Sequence, residues 1–266
     1  MSKIVDTFRK LHANPMPLVL ANAWDAGTAR LIESLGAAAV GTTSAGVAWS
    51  LGYSDGRALP IEETVNAARR MMRLLTVPLT FDVENGYSDK PKVVADNVMR
   101  LVDLGVAGIN IEDGIDDPSL LASKIEAISS AVAKARADLF VNTRADVFLA
   151  RLAPKAKLVE ESIRRGKLYA EAGADGLFLP GILQTDHISE VAHEVSLPLN
   201  VMAWPGLPDA PGLAKLGVRR LSAGSGISQV SFGATETVAR EFLKSGRSEA
   251  LSPNSMAYGK LQELIG

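Results

Sequence analysis

The sequence predicts a (β/α)8 barrel of the TIM type, and three observations predict it. Eight short apolar runs punctuate the chain, four junctions repeat one pattern of helix, glycine and strand, and no Pro/Gly/Ser-rich linker divides the 266 residues. Strands buried on both faces of a parallel sheet read as continuous apolar stretches, and the intervening segments are long enough for helices. Eight such units usually occupy about 250 residues. An open doubly wound sheet is the competing arrangement. The reading is a single barrel domain over 1–266 with a helical tail over 233–266.

The first run, 18–21, follows a segment that mixes Lys3, Asp6, Arg9, Lys10 and His12 with isolated apolar residues, unlike a signal peptide. The second, 38–41, ends the stretch LIESLGAAAVG, in which Gly36 stands where a helix C-cap turns left-handed before the next strand. The third is VPLTF at 77–81. The fourth, sixth and eighth (108–111, 176–179 and 219–222) repeat the junction in LVDLGVAGINI, YAEAGADGLFL and GLAKLGVRRLS, with Gly105, Gly173 and Gly217 at the turn. The fifth, 139–141, and the seventh, 197–201, complete the set. In the tail, a helix over 235–243, a Ser/Gly/Pro break over 245–255 and a helical stretch over 256–265 exceed what barrel closure needs. Such a helix either docks on a partner subunit or packs across the barrel's base.

Composition narrows the function. With 28 Lys+Arg against 30 Asp+Glu, the net charge is −2, which gives no basic field for nucleic acid. No apolar run approaches the roughly 20 residues of a membrane span. The expectation is a soluble, cytoplasmic protein with neither nucleic-acid nor membrane partners. The chain has no cysteine, so it supplies no thiol nucleophile, and only three histidines, too few for a multi-histidine metal site.

In a barrel, chemistry sits at the C-terminal ends of the strands. Asp82, Glu84 and Asn85 follow the third run, Glu112 and Asp113 the fourth, Asn142 and Arg144 the fifth, Asn200 and Met202 the seventh. Carboxylates converging on one mouth repel unless a cation sits among them. With oxygen donors only, Asp82, Glu84 and Glu112 point to Mg2+, or Mn2+, rather than zinc. The alternative is that some of these acids cap helices or pair with arginine. Arg144 faces either a mouth acid such as Glu112 or an anionic ligand, whose carboxylate its fork would grip bidentately. The small-residue segments 42–46 (TTSAG) and 222–226 (SAGSG) could bring backbone amides close to an anion, or form tight turns. Trp204, in a proline-rich stretch past the seventh run, could roof the site or simply belong to a stiff loop.

Several segments together resemble the isocitrate lyase/phosphoenolpyruvate mutase superfamily: TTSAGVAWSLGYSDG (42–56), FDVENGYSD (81–89), GVAGINIEDG (105–114), VNTRADVFL (141–149) and LNVM (199–202). The resemblance spans roughly 18–225. It implies a barrel that binds Mg2+ near its mouth and a small 2-oxo acid handled through its enolate. By position, Asp82 would lead the metal site, assisted by Glu84 and Glu112, and Asp55 would be a proton-handling or supporting carboxylate. Thr42, Thr43, Ser44 and Ala45 would hold the substrate carboxylate, with Arg144 and Asn200 opposite. The resemblance also implies a homotetramer, a dimer of dimers, whose last helices are exchanged between subunits, making 256–265 the candidate segment.

The departures choose among members. The carbon-carbon lyases carry a Lys-(Lys/Arg)-Cys-Gly-His loop after the fourth strand, where this chain has Gly114, Ile115, Asp116 and Asp117, and a Glu after the sixth, where it has Pro180 and Gly181. The phosphonate-acting members lack that cysteine but carry a Lys after the Glu-Asp pair, replaced here by Gly114. The expected function is a Mg2+-dependent lyase or decarboxylase-like enzyme that cleaves a carbon-carbon bond next to the carbonyl of a small 2-oxo acid. The alternatives are phosphonopyruvate or carboxyphosphonoenolpyruvate mutase or hydrolase chemistry, and a barrel that binds 2-oxo acids without catalysis.

Overall fold

In a computed structural model, which describes residues 3–56, 58–253 and 255–266, all eight apolar runs form strands of one parallel sheet. They are β1 (Leu18–Leu20), β2 (Asn22–Ala23), β3 (Val40–Thr42), β4 (Leu79–Asp82), β5 (Gly108–Glu112), β6 (Phe140–Arg144), β7 (Gly176–Leu179), β8 (Leu199–Met202) and β9 (Val218–Ser222). There are nine because the first run breaks at Ala21. Leu18–Leu20 pairs with β9, while Asn22–Ala23 pairs with β3. The chain thereby joins the two sheet edges and closes a TIM-like barrel.

The helix–glycine–strand junctions form as the sequence requires. Gly36, Gly105, Gly173 and Gly217 take φ of +90, +88, +103 and +88°, a left-handed turn that a side chain would strain. Outside the barrel lie α2 (Ala26–Ser34), α3 (Ser44–Ser50), α4 (Ile61–Met72), α5 (Pro91–Val102), α6 (Pro118–Lys134), α7 (Leu158–Ala172), α8 (Thr185–Glu194) and α9 (Ala210–Lys215), after an N-terminal α1 (Lys3–Ala13). Proline at the first turn of α5, α6 and α9 lacks only an N–H that would be unpaired there anyway. Helix α1 plugs the base. Its Val5 and Phe8 are buried with Leu18, Leu20 and Phe140, and Gly108 leaves room, since a Cβ there would stand 2.9 Å from Phe8 Cε1.

The barrel interior is polar at mid-height. Asn142 Nδ2 donates to Asn110 Oδ1 (2.9 Å) and to Asn200 Oδ1 (3.2 Å), and Arg220 Nη2 reaches Asn110 Oδ1 (3.2 Å) from the opposite side. Gly176 admits this layer, because a Cβ there would lie 2.6 Å from Asn142 Oδ1.

The tail differs from expectation. Helix α10 (Gly226–Ser245) starts nine residues before the predicted 235, and α11 (Tyr258–Ile265) ends the chain. Gly226, Ser228 and Gly233 are weak helix formers, so local propensity hides this start. Ser228 is the one buried residue of α10, whereas Val230, Phe232, Phe242 and Leu243 are exposed. Helix α11 lies against α2, where Arg30 Nε donates to the Leu264 carbonyl (3.2 Å). No helix among the described residues is long and apolar enough to cross a membrane.

Candidate active site

A cavity of about 530 Å³ opens at the C-terminal ends of the strands. One side is polar: Asn22, Thr42, Thr43, Ser44, Ala45, Asp55, Asp82 and Arg144. The other is largely apolar, with Leu149, Phe178, Pro180, Met202, Trp204 and Pro205. The segment from Ser222 to Gly226 closes a third side. Trp204 and Leu149 line the cavity and remain half exposed.

Asp82 ends β4 with its side chain pointing into this space. Its amide donates to Thr42 Oγ1 (2.8 Å), and its carboxylate accepts the Glu84 amide (3.0 Å), so both strand end and carboxylate are fixed. Burial pushes its pKa up, Arg144 pulls it down and Asp55 pushes it up again. The turn that follows is strained: Glu84 and Tyr87 have φ of +50 and +60°, unusual for residues with side chains. The turn is held from outside by Lys124 of α6, whose Nζ donates to the Asn85 carbonyl (3.0 Å). Segment 42–46 is not a loop; Thr42 ends β3, Thr43 caps α3 and the rest begins that helix.

Arg144 ends β6 and takes the first of its two expected partners, the mouth acid Glu112, together with a second carboxylate, Asp146. Its Nη1 lies 2.6 Å from Glu112 Oε2, while Nε and Nη2 grip the two carboxylate oxygens of Asp146 at 2.7 and 2.9 Å. The bidentate fork is therefore filled by Asp146, a residue the sequence reading did not single out. A guanidinium carries five N–H bonds, so these contacts leave two over on a residue that lines the cavity. Burial, then Asp82, Asp146 and Glu84, push the Glu112 carboxyl up to about 8 against the pull of Arg144.

The structure thus brings Thr42, Thr43, Ser44, Ala45, Asp55, Asp82 and Arg144 together on the cavity wall. Glu84, Glu112 and Asn200 do not line it. Asn200 belongs to the mid-barrel layer, where its Nδ2 donates to the Val201 carbonyl (2.7 Å) and its Oδ1 accepts from Asn142 and Ser222. Among the described residues no three carboxylate or imidazole groups form a metal-binding cluster. Asn22 went unnoticed in the sequence: its Nδ2 donates to the Thr42 carbonyl (2.7 Å) and its Oδ1 accepts the Gly224 amide (3.0 Å), tying both small-residue segments together. Its signal is the one used elsewhere, a polar residue just past an apolar run, here 18–21. Segment 114–121, where lyases carry their thiol loop, is a short turn followed by α6, capped by Asp117 onto the Ser119 amide (2.8 Å).

Comparison with known proteins agrees with this geometry. The family model for phosphoenolpyruvate phosphomutase matches residues 8–243. An uncharacterized protein of Mycobacterium tuberculosis (strain CDC 1551 / Oshkosh) is 35% identical over 260 residues, covering 96% of this chain and 95% of its own. An oxaloacetate decarboxylase from Pseudomonas fluorescens (strain SBW25) is 32% identical over 231 residues, covering 83% of this chain and 78% of its own. The fold matches the crystal structure of 2,3-dimethylmalate lyase, a PEP mutase/isocitrate lyase superfamily member, with a TM-score of 0.88 at 23% identity over 100% of this chain and 96% of that one. A match over nearly the whole barrel makes this chain a member of the phosphoenolpyruvate phosphomutase family, within the PEP mutase/isocitrate lyase superfamily.

Proposed function

We propose that this protein is a Mg2+-dependent lyase of the decarboxylase type that acts on a small 2-oxo acid such as oxaloacetate. The observation that carries the reading is the division of the cavity into a polar side, with Asp82 and Arg144, and an apolar side formed by Leu149, Phe178, Pro180, Met202 and Trp204. The similarity to an oxaloacetate decarboxylase supports it.

Asp82 is a buried oxygen donor beside Asp55, and this donor set fits Mg2+, which keeps several waters and takes few carboxylates. Mn2+ would fit the same donors. Glu84 would add negative charge near Asp82, while Glu112 is committed to Arg144. When bound, the ion supplies Lewis acidity toward the carbonyl oxygen of the substrate.

The chain's own residues do the rest. Arg144, held in plane by Asp146 and Glu112, presents its remaining N–H bonds to the substrate carboxylate. The hydroxyls of Thr43 and Ser44 and the first amides of α3 flank the same group. The far carboxylate of the substrate then meets the apolar side, where it loses hydration. Carbon dioxide is uncharged and suffers no such penalty, so this environment favours its departure. The electron pair of the broken bond stays with the 2-oxo acid fragment, and water supplies the proton. No thiol is needed, and the chain has none.

Phosphorus-carbon chemistry is the second reading, favoured by the family model itself. Against it, Arg144 is the only cationic side chain on the cavity wall among the described residues, and it already holds two carboxylates. With the substrate carboxylate on Arg144, a phosphonyl dianion directed to the apolar side would meet no cationic side chain. The exposed apolar residues of α10 support a homo-oligomer, a dimer of dimers with the tail exchanged or packed between subunits.

The test is turnover of oxaloacetate, phosphonopyruvate and 2-methylisocitrate with Mg2+, followed by NMR. EDTA-sensitive decarboxylation that disappears in Asp82→Ala and Arg144→Ala is expected. Conversion of phosphonopyruvate alone would favour the second reading, and no turnover above the metal-only blank would reject both.

A further inference from the structure

Behind the cavity wall, a buried polar cluster connects helix α7 to Arg144. Asp113, which follows β5, is buried, and its side chain points away from the cavity. Its Oδ1 accepts the Asp146 amide (2.9 Å), while its Oδ2 accepts Arg165 Nη1 (2.7 Å) and the Tyr169 hydroxyl (2.6 Å). Arg165 and Tyr169 are one helical turn apart on α7, so they present one face to the barrel. Arg165 is itself steadied by Glu161 Oε1 (2.7 Å). Asp146, fixed through its amide, then chelates Arg144 with both carboxylate oxygens.

We propose that Arg165 and Tyr169, acting through Asp113, are positioning residues that hold Asp146, and with it the Arg144 guanidinium, in the orientation offered to the cavity. The inference deepens the reading of Arg144 as the anion-binding group and rests on it for its functional consequence.

Stability alone does not account for the cluster. The inner faces of the neighbouring helices are mainly apolar, with Leu121, Ile125 and Ile128 on α6 and Ile188 and Val191 on α8. An apolar contact would serve α7 equally well, since a buried ion pair seldom outperforms well-packed hydrophobic residues. What a three-donor carboxylate adds is direction. It fixes the amide of one residue, and that residue's side chain fixes the plane of an arginine two positions earlier. The cluster also ties Asp146, near the start of the segment joining β6 to α7, to α7 itself, and that segment supplies Leu149 to the cavity wall.

The experiment uses the full chain with Tyr169→Phe, which removes one hydroxyl and keeps the ring, and with Arg165→Gln as a second variant. The Arg144 Nε–H signal, assigned by its loss in Arg144→Lys, is followed by 15N NMR and hydrogen exchange without any ligand. Oxalate binding with Mg2+ is followed by calorimetry. The expected result in Tyr169→Phe is a displaced, faster-exchanging Arg144 signal together with roughly tenfold weaker oxalate binding, the loss of one charge-assisted hydrogen bond. A fall in Tm with the Arg144 signal and oxalate affinity unmoved would overturn the proposal, leaving the cluster a packing feature. If Arg144→Ala leaves oxalate binding intact, the reading of the cavity fails, and the ligand-free Arg144 signal still decides for or against the relay.

Discussion

Glu112→Gln gives a quantitative test of the electrostatics at the mouth. The Glu112 side chain is 16% exposed, and its folded pKa rises from the usual 4.5 to about 8. The folded protein therefore holds a proton that the unfolded chain releases. That stabilisation is fully present below pH 4.5 and is lost as the pH rises through about 8. At about 1.36 kcal/mol per pH unit, the whole effect is on the order of 5 kcal/mol, roughly 10 °C in Tm for a chain of this size. Glutamine keeps the shape and does not titrate. The Arg144 ion pair forms only as Glu112 ionises, so the difference between the two profiles reports that ionisation together with the coupled Asp82. The assay is urea unfolding of both proteins at pH 5, 6.5 and 8.5 without divalent cations. The wild type should lose stability relative to Glu112→Gln across this interval. Parallel profiles would refute the argument, because Glu112 would then be an ordinary ionised partner of Arg144.

Three further outcomes follow from other parts of the molecule. Burial and the nearby Arg220 hold the His12 imidazole down at about 3, so it stays neutral in the fold while the unfolded chain takes up a proton below 6.5. Stability should fall as the pH drops from 6.5 toward 3, and His12→Gln should flatten that limb in acid titrations of thermal unfolding. Gly86 has φ of +85°, and a Cβ there would stand 2.4 Å from Val94 Cγ1, so Gly86→Ala should cost about 2–4 kcal/mol in urea unfolding, partly recovered by Val94→Ala. In light scattering after gel filtration, the 28.1 kDa chain should run as an oligomer. Val230→Asp with Leu243→Asp should shift it to smaller species; an unchanged mass would remove α10 from the interface.

The barrel was legible because its signals are local. Continuous apolar runs and left-handed glycines at 36, 105, 173 and 217 each report a backbone requirement met within a few residues. Asp82 and Arg144 were legible for a related reason, since each ends a strand at the mouth, whereas Asp55, beyond α3, was reached only through the resemblance of its segment. The rest depends on which way a side chain points and what lies across the barrel. Nothing local tells Arg219 from Arg220, yet one is partly exposed and the other wholly buried beneath the site. Asn200 looked like a mouth residue but points into the interior layer. Asp146 and Asp113 flank the expected residues, and their roles appear only once α7 is packed against the barrel. The early start of α10 was hidden by its glycines and serines.

The interior layer of asparagines and arginine also bears on how the chain reaches this fold. Arg220 spans from β9, the last strand, to Asn110 on β5, and Asn142 joins β5 to β8 through β6. A partial barrel ending after β5 would bury Asn110 with neither partner, and an unsatisfied buried amide costs about 1–3 kcal/mol. An apolar interior would let half-barrels collapse on their own; this one withholds closure until the final strand arrives. Folding should therefore be strongly cooperative between halves, and a fragment ending near residue 135 should remain loosely ordered until the complementary fragment is added.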